Sequence, residues 1–208
     1  MITDKYDNIL FDLDGTLWDA SVPLIKTWRK NITTYFPGEY VPDIACHSGA
    51  LGMDRTQLIS YYSKYYGDRT TEIIDKCLSL EVEGVKEAGG AVLFDGLEET
   101  LRKLSGSMKL FIVSNCQEGY IENFLDYSKT EKYFTSYICA GLTGNGKGKN
   151  ALTLMERFGL SRCLFIGDTR GDEEAAREAG IDFAYAAYGF GSALQPDYVI
   201  NSIKELVV

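Results

Sequence analysis

Three apolar segments typical of buried β-strands each end in polar residues, although they lie far apart along the 208-residue chain. Asp12 follows the first segment, Ser114 follows the second, and Gly167-Asp168 closes the third. Segments with helical periodicity separate them, and strands that alternate with helices predict a parallel sheet covered by helices on both faces. Ligands bind at the carboxyl ends of the strands in such sheets. We therefore expect these polar residues to meet at one rim.

A different pattern runs from Ser21 to about Gly90, within a predicted insertion of residues 18–90 between the first and second of these strands. Apolar and aromatic residues recur there at helical spacing, and no convincing strand interrupts them. The stretch predicts an all-helical cap inserted over the rim, so that residues 1–17 and 91–208 form the core. The predicted fold class is therefore α/β, a Rossmann-like parallel sheet with an inserted all-helical cap. The periodic segments of the cap are residues 22–36, 54–66 and 71–88.

Strands and helices alternate through the two core segments. Short apolar runs predict the strands, and amphipathic stretches bounded by Gly, Asn or Asp predict the helices between them. The predicted strands are residues 6–11, 108–115, 136–140, 163–168, 182–188 and 196–200. The predicted helices are residues 96–104, 118–127, 149–158 and 172–179.

The composition is that of a globular protein with an acidic surface. Charged residues make up 25% of the chain, and the formal net charge is −9. This excess of acids argues against a general surface for nucleic acids or anionic membranes. It says less about a small anionic ligand, because a site can be locally positive. No run approaches the ~18 apolar residues of a membrane span, and the N-terminus MITDKYDNIL lacks the basic and apolar regions of a signal peptide.

Cysteine and histidine usage narrows the chemistry further. No two of the five cysteines have C-x2-C spacing, so we predict free thiols in a reducing cytoplasm. The chain has a single histidine, His47. Ser-His-Asp, Cys-His and multi-histidine zinc sites would all have to be built around it. We therefore expect the chemistry to depend on carboxylates, lysine and backbone amides.

Asp12 and Asp14 form the first candidate site, two residues apart at the end of the first strand. On an extended strand both side chains would point to the same face, and Gly15 lets the chain turn and bring backbone N–H groups near a ligand. Paired carboxylates can bind a hard cation such as Mg²⁺, or act as a nucleophile and an acid. A solvated turn after a strand is the alternative without a function. A calcium loop does not fit, because its later acidic ligands are missing.

Two further candidate sites involve uncharged polar residues and lysines. Ser114-Asn115 offers a hydroxyl and backbone N–H groups to phosphate oxygens, or simply caps a helix. The glycine-rich residues 144–149 predict a flexible loop that carries Lys147 and Lys149. A lysine beside paired carboxylates would neutralise an incoming dianion, whereas an ordinary loop lysine would lie exposed in solvent.

Asp168 and Asp172 follow the third strand. Asp168 is predicted at the strand tip and Asp172 at the start of the next helix, where both can face a cation shared with Asp12. The helix macrodipole alone also favours an acid at that position. Four such features in this order, each after a strand, are improbable as independent accidents. We therefore interpret them as one site.

With these features the chain resembles the haloacid dehalogenase-like (HAD) superfamily, whose four motifs occur in the same order. The motif D-x-D-G-T matches residues 12–16, the strand-terminal Ser/Thr matches Ser114, the motif lysine matches Lys147, and G-D-x-x-x-D matches residues 167–172. The resemblance spans roughly residues 6–190, and the helical insertion is similar to the C1-type cap of this family.

The resemblance implies a magnesium-dependent phosphoryl transfer. Asp12 would attack phosphorus to form an aspartyl-phosphate, and Asp14 would protonate the leaving alkoxide and then activate water. Magnesium would be held by Asp12, the backbone carbonyl of Asp14 and Asp168, with Asp172 either binding the metal or positioning one of its waters. The residues implied in phosphate binding are Gly15, Thr16, Ser114, Asn115 and Lys147.

The third motif and the cap differ from the common family pattern. Many relatives have K-P-x-P where this chain has K-G-K-N, so Lys149 remains an alternative to Lys147. Three residues near cap turns could contact a substrate, or could simply lie at the surface or cap helices: His47, Ser48 and Arg55. Four tyrosines could line a pocket, although residues at helical spacing more often form a core: Tyr61, Tyr62, Tyr65 and Tyr66.

We predict a cytoplasmic, Mg²⁺-dependent phosphatase that hydrolyses a small phosphomonoester and is similar to phosphoglycolate phosphatase. The cap favours a small phosphorylated metabolite, and we expect neither nucleic acid nor membrane as a partner. The alternatives are a phosphomutase like β-phosphoglucomutase and a receiver-like phospho-switch without turnover, although receivers are shorter and lack a cap. Asp14 disfavours the dehalogenase branch. A phosphonatase would need a cap lysine, and no motif marks Lys26, Lys30 or Lys64 for that role.

Overall fold

The computed structural model describes residues 2–207, which form a six-stranded parallel sheet, a separate pair of short antiparallel strands and helices. The strands are β1 (Asn8–Phe11), β2 (Trp18–Asp19), β3 (Val92–Leu93), β4 (Lys109–Ser114), β5 (Ser136–Cys139), β6 (Cys163–Gly167), β7 (Asp182–Ala186) and β8 (Tyr198–Ile200). The α-helices are α1 (Ser21–Tyr35), α2 (Ile44–Ser48), α3 (Arg55–Tyr66), α4 (Thr70–Leu78), α5 (Glu81–Glu87), α6 (Leu97–Leu104), α7 (Tyr120–Ser128), α8 (Ala140–Thr143), α9 (Lys147–Phe158) and α10 (Arg170–Ala179). None of these described helices is both long and apolar enough to cross a membrane.

Strand β1 lies in the middle of the sheet, whose order is β5-β4-β1-β6-β7-β8. Phe11 pairs in register with Ile112 of β4 and with Ile166 of β6. The three strands therefore end at about the same level, and their polar ends share one edge of the sheet. The chain order reverses at β1, which is where open α/β sheets bind ligands. The predicted α/β fold with a Rossmann-like parallel sheet is confirmed.

The two faces of the sheet pack on separate apolar layers, because side chains alternate along a strand. Ile9 and Phe11 contact the layer that contains α6 and α7, whereas Leu10 contacts the layer formed by α9 and α10. All four residues of β1 are buried. A strand covered on both faces is expected to be continuously apolar, which explains why the segments preceding the polar ends have this composition.

Helices α1 to α5 lie in the chain between β1 and β4. The buried Val85 of α5 packs in a layer on the sheet, whereas α1, α3 and α4 form an apolar core of their own. Trp28 of α1, Leu58 of α3 and Ile73 of α4 are buried there. The two connections between these helices and the sheet pair with each other as β2 and β3, with Trp18 opposite Leu93. The helical character predicted for this stretch is therefore confirmed, and the paired connections place the helices above the carboxyl edge.

A single helix was predicted for residues 71–88, and this prediction was wrong, because the structure has two helices there, α4 and α5. Leu80, between them, has φ −113° and ψ 0°, outside the helical range. The break lets Gly84 of α5 approach α1 so closely that a Cβ on it would lie 2.2 Å from Oγ1 of Thr27. Helical periodicity did not mark the break, because neither Gly nor Pro stands there.

The four tyrosines of α3 belong to the core of the insertion. Tyr62 and Tyr66 are buried in it, and Tyr61 and Tyr65 pack against it while partly buried. The rings of Tyr62 and Tyr66 stack with their centroids 5.8 Å apart. None of the four lines the cavity described below, so their helical spacing reflects core packing.

Candidate active site

The carboxyl ends of β1 and β6 and the first turns of α9 and α10 bring four charged side chains together. Nζ of Lys147 lies 2.6 Å from Oδ1 of Asp12 and 2.6 Å from Oδ1 of Asp172. Carboxylate oxygens of Asp12, Asp168 and Asp172 all lie within 4.8 Å of one another. All four side chains are buried. The fold thus collects residues from both ends of the chain into one site.

Lys147 begins helix α9 and does not lie in a flexible loop, which corrects the prediction for residues 144–149. The side chain of Asn150 stabilises the turn before this helix, because its Oδ1 accepts a hydrogen bond from Thr143 Oγ1 at 2.8 Å. Lys149 is exposed on the same helical turn. Lys147 is therefore the lysine that contacts the carboxylates, and it does so from a regular helix.

The glycine of K-G-K-N has a packing role. A Cβ on Gly148 would lie 2.9 Å from the Cβ of Glu178 in α10, so a side chain at this position would push α9 away from α10. The approach brings Lys147, in the first turn of α9, against Asp172 in the first turn of α10. The replacement of the common K-P-x-P pattern is thus consistent with a lysine held in place by helix packing.

Asp168 and Asp172 are held by backbone and side-chain donors. Oδ2 of Asp168 accepts hydrogen bonds from the N–H groups of Phe190 (2.7 Å) and Gly191 (3.3 Å). Its Oδ1 is buried and has no hydrogen-bond partner within the described residues. Asp172 forms a capping box with Thr169, whose N–H and hydroxyl both donate to Oδ2. The hydrogen bonds within each loop thus engage only Oδ2, and Oδ1 of each carboxylate faces other groups of the site.

Gly15 and Thr16 lie beneath the carboxylates and outside the cavity wall. Gly15 has φ +84°, and a Cβ there would lie 2.3 Å from Oδ2 of Asp168. Thr16 is fully buried, and its hydroxyl has no partner among residues 2–207. Its carbonyl accepts a hydrogen bond from the Tyr188 hydroxyl at 3.0 Å. The structure therefore brings Gly15 against the carboxylate cluster, and the phosphate-binding role expected of both residues stays a prediction.

Asp14 reaches the same cavity as Asp12 by a different route from the one predicted. β1 ends at Phe11, where the predicted strand ends, and residues 13–18 form a compact turn, so the two side chains are brought together by this turn and not by the alternation of an extended strand. Oδ1 of Asp14 accepts hydrogen bonds from Trp18 Nε1 at 2.9 Å and from the Tyr120 hydroxyl at 3.0 Å. Sequence reasoning missed both donors, and no local signal marks Tyr120, which is 106 residues away.

Burial and mutual repulsion raise the pKa values of the acids. The pKa of Asp12 is raised to about 8, first by burial and then by Asp172. Burial and Asp12 raise the pKa of Asp14 to about 7, and burial and Asp172 raise that of Asp168 to about 7. Burial by itself lowers the pKa of the Lys147 ammonium, but Asp12 and Asp172 together raise it above its usual range. The cluster therefore holds more negative charge than one lysine can balance.

The three clustered carboxylates fit a hard divalent cation. Asp12, Asp168 and Asp172 supply the oxygen ligands that Mg²⁺ prefers in proteins. The buried Oδ1 of Asp168 has no partner within the described chain, and a bound cation would satisfy it. A divalent ion would also offset the excess negative charge that raises the pKa values. The residues present thus match the group that the first and fourth motifs imply.

A cavity of about 70 Å³ lies between this cluster and the helical insertion. The residues that line it from the sheet side include Asp12, Asp14, Ser114, Asn115, Tyr120 and Lys147. The residues that line it from the insertion include Leu24, Trp28, His47, Arg55, Leu78 and Glu81. The cavity is thus polar and charged on the sheet side, whereas the wall from the insertion mixes apolar side chains with His47, Arg55 and Glu81.

Ser114 and Asn115 contribute to the sheet side of the cavity. Ser114 is buried, and its Oγ accepts a hydrogen bond from the N–H of Cys116 at 3.2 Å. Nδ2 of Asn115 donates to the carbonyl of Gly52 in the insertion at 3.1 Å. Ser114 thus lines the cavity beside Asp12, and Asn115 joins the sheet edge to the helices above it.

The three residues that the sequence suggested as substrate contacts from the cap differ in their positions relative to the cavity. His47 and Arg55 line the cavity, whereas Ser48 is exposed outside its wall. Burial lowers the pKa of His47 to about 4, so the ring is neutral near pH 7. Arg55 forms a two-pronged ion pair with Asp75, at 2.6 and 2.9 Å. Neither residue therefore presents an uncompensated positive charge to the cavity.

The chain is similar over most of its length to known hydrolases. A sequence model described as haloacid dehalogenase-like hydrolase matches residues 9–186. The chain is 28% identical over 220 residues to a phosphoglycolate phosphatase of Pseudomonas fluorescens (96% of this chain, 78% of the relative) and 28% identical over 197 residues to a 5'-nucleotidase of Pseudomonas aeruginosa (90% and 86%). A solved haloacid dehalogenase-like hydrolase of Streptococcus pneumoniae superposes with a TM-score of 0.85 at 25% identity, over 98% of this chain and 97% of that one. The chain belongs to the haloacid dehalogenase-like hydrolase family.

Proposed function

We propose that the protein is an Mg²⁺-dependent phosphatase that hydrolyses a small phosphomonoester through an aspartyl-phosphate. One observation carries the proposal: Asp12, Asp168 and Asp172 converge around Lys147 at the sheet edge, beside a cavity that Asp14 also lines. Acids, a cation and a second carboxyl in this arrangement match what stepwise phosphoryl transfer requires. Phosphatases among the relatives support the same activity.

Asp12 is the proposed nucleophile. Its Oδ1 is held by Lys147 at 2.6 Å, which fixes the carboxylate and favours its ionised form. A carboxylate oxygen attacks phosphorus, an acyl-phosphate bond forms, and the bond from phosphorus to the ester oxygen breaks. The electron pair of that bond leaves with the alkoxide, which then needs a proton.

Asp14 is the proposed source of that proton. Its pKa, raised to about 7 by burial and by Asp12, suits a group that gives a proton at neutral pH and takes one back. Trp18 and Tyr120 both donate to Oδ1, which orients the carboxyl and leaves Oδ2 to exchange the proton. In the second step Asp14 removes a proton from water, which attacks phosphorus and releases phosphate from Asp12.

The remaining residues bind the phosphoryl group and the Mg²⁺ ion that would balance its negative charge. Ser114 and Lys147 lie on the cavity side of the cluster and are placed to contact phosphoryl oxygens. Asp12, Asp168 and Asp172 would hold Mg²⁺, which when bound supplies positive charge for those oxygens. We also propose that residues 18–90 act as the cap, and that the enzyme works in the cytoplasm, where its five free thiols would stay reduced.

The first experiment is turnover of p-nitrophenyl phosphate by the purified chain with Mg²⁺ and with excess EDTA. We expect turnover only with Mg²⁺, and a loss of about 10³-fold or more in kcat for Asp12→Asn. Asp126→Asn, a change at an exposed acid on α7, is the matched control and should keep full activity. Equal turnover in EDTA, or full activity of Asp12→Asn, would contradict the proposal.

A second assay separates hydrolysis from phosphate transfer within a sugar. Incubation with β-glucose 1-phosphate and a trace of the 1,6-bisphosphate should release inorganic phosphate without forming more glucose 6-phosphate than the added bisphosphate can yield. Formation of glucose 6-phosphate well in excess of the added bisphosphate would instead favour the phosphomutase hypothesis. A stable phosphoprotein that releases no phosphate would favour a phospho-switch.

A further inference from the structure

The wall that the insertion contributes to the cavity contains a carboxyl group that the proposed mechanism does not use. Glu81 is the first residue of α5 and lines the cavity together with Trp28. Nε1 of Trp28 donates to Oε1 of Glu81 at 2.6 Å, which holds the carboxyl beside the indole ring. This bond engages one carboxyl oxygen, and no bond from residues 2–207 engages the other. The second oxygen is thus available to a ligand.

No positive charge of the insertion compensates Glu81 in this wall. Arg55 is paired with Asp75, and His47 is neutral near pH 7. Lys147, on the sheet side, is already shared between two other acids. Burial raises the pKa of Glu81 to about 8, with a further contribution from Asp14, as expected for a carboxyl group that no cation stabilises.

The two ends of the cavity therefore differ in charge. A phosphate dianion enters on the side of Lys147, Ser114 and the proposed Mg²⁺, and the rest of the substrate extends toward Trp28 and Glu81. A carboxylate at that end would meet the Glu81 carboxyl group with no cation between them. One of the two acids would then have to stay protonated, because juxtaposed like charges are unfavourable in a desolvated site. A hydroxyl or an ammonium group could donate to the free oxygen, and an ammonium could also contact the indole face.

We propose that Glu81 selects phosphomonoesters whose leaving group carries a hydrogen-bond donor, a hydroxyl or an ammonium, and disfavours leaving groups that carry a carboxylate. This inference rests on the proposed phosphatase function. It distinguishes the chain from its phosphoglycolate phosphatase relatives, because phosphoglycolate carries a carboxylate where Glu81 requires a donor.

Four phosphomonoesters of similar size test the proposal on the Mg²⁺-loaded enzyme. They are phosphoglycolate, ethanolamine phosphate, 2-hydroxyethyl phosphate and ethyl phosphate, which carry a carboxylate, an ammonium, a hydroxyl and a methyl group. We expect kcat/KM for the better of the two donor-bearing esters to exceed that for phosphoglycolate by about tenfold or more, with ethyl phosphate between them. The comparison of the two donor-bearing esters identifies which donor the site prefers.

Glu81→Gln removes the ionisable carboxyl group and keeps its shape and one acceptor oxygen. We expect it to lower kcat/KM for ethanolamine phosphate by about tenfold, to change that for 2-hydroxyethyl phosphate less, and to raise that for phosphoglycolate. Glu83→Gln, on the same helix but exposed and outside this cavity, is the matched control and should leave all four ratios unchanged. Turnover of p-nitrophenyl phosphate by each variant reports whether the enzyme is folded and active.

The outcomes separate this inference from the phosphatase proposal. If wild type hydrolyses p-nitrophenyl phosphate but prefers phosphoglycolate, or if Glu81→Gln leaves the ratios unchanged, the selective role of Glu81 is wrong and the phosphatase function stands. If none of the phosphomonoesters, p-nitrophenyl phosphate included, is hydrolysed with Mg²⁺, the phosphatase proposal itself fails.

Discussion

Lys147 and Asp12 form a buried ion pair at 2.6 Å although 135 residues separate them in the chain. Their side chains are only 5% and 4% exposed. Such a pair stabilises a fold only when each charge keeps its partners, because both lose the solvation of water. Lys147 also contacts Asp172, so one ammonium serves two acids. Stability and proposed catalysis therefore depend on the same three side chains.

Replacing Lys147 by methionine should destabilise the protein strongly. The change leaves Asp12 and Asp172 buried without a cation, and breaking a buried pair from one side costs about 3–5 kcal/mol. We expect a lower urea midpoint, which saturating Mg²⁺ partly restores, and little remaining turnover of p-nitrophenyl phosphate.

Lys149→Met is the matched control for this change. Lys149 is exposed two residues further along the same helix, so its replacement should change stability by less than about 0.5 kcal/mol. A larger effect at Lys149 than at Lys147, in stability or in turnover, would show that the wrong lysine has been assigned.

Gly15→Ala should disturb the carboxylate cluster through a direct clash. Gly15 has φ +84°, and a Cβ would lie 2.3 Å from Oδ2 of Asp168. Gly144→Ala is the matched comparison, because Gly144 has φ +70° but no atom within 4 Å of its Cβ position. Gly144→Ala should cost about 1–2 kcal/mol from backbone conformation alone. Gly15→Ala should cost more and weaken Mg²⁺ binding, as urea unfolding and magnesium titration would show. Equal costs and unchanged magnesium affinity would contradict the clash.

Asp168→Asn should remove most of the stabilisation that Mg²⁺ confers. A ligand at about 100 times its Kd adds about 2.7 kcal/mol to the unfolding free energy, which raises Tm by about 5–10 °C in a chain of this size. We expect that rise in wild type and in Asp126→Asn, and a much smaller one in Asp168→Asn, measured by thermal melting with and without Mg²⁺. An undiminished rise in Asp168→Asn would place the metal elsewhere.

His47 should stay neutral across the physiological range. Burial lowers its pKa from the usual 6.5 to about 4, so the unfolded chain binds a proton more readily than the folded one below pH 6.5. Its contribution to stability is present above pH 6.5 and is lost as the pH falls toward 4. Because the chain has one histidine, its ring proton signal in NMR is unambiguous and should not titrate between pH 5 and 8. The decline in Tm below pH 6.5 should be shallower in His47→Gln.

Tyr120→Phe should move the pH dependence of turnover to higher values. Burial is the main cause of the raised pKa of Asp14, and the hydrogen bond from Tyr120 opposes it. Without that bond the pKa of Asp14 rises further, so the proton needed by the leaving alkoxide is retained at higher pH. The alkaline limb of kcat/KM for ethyl phosphate should therefore shift upward. Tyr127→Phe, at a ring that is 44% exposed, is the control and should leave the profile in place.

Several parts of the fold and site could be predicted because their signals are local. The apolar run before Asp12 and the run before Asp168 each mark a buried strand, and parallel pairing then requires their ends to share an edge. Gly15 could be recognised from the sequence as a turn residue. The clash that a Cβ would make with Asp168 explains why no larger residue fits there.

Other features depended on distances between elements and had no local signal. Leu80 interrupts a helical pattern without Gly or Pro, because the break is set by the packing of α5 on α1. Tyr120 reaches Asp14 from a helix that begins far along the chain. Glu81 resembles any acid at a helix start until the fold places it in the cavity wall.

The sequence by itself determined the class of fold, the alternation of strands and helices, and which acids stand at strand ends. These features follow from hydrophobic periodicity and from residues adjacent in the chain. Only the tertiary structure decided that Lys147 rather than Lys149 contacts the carboxylates, and that Glu81 lines the cavity beside them. Both outcomes depend on which side of a helix turns inward when it packs against its neighbours, and that orientation is set by the whole core rather than by the helix alone.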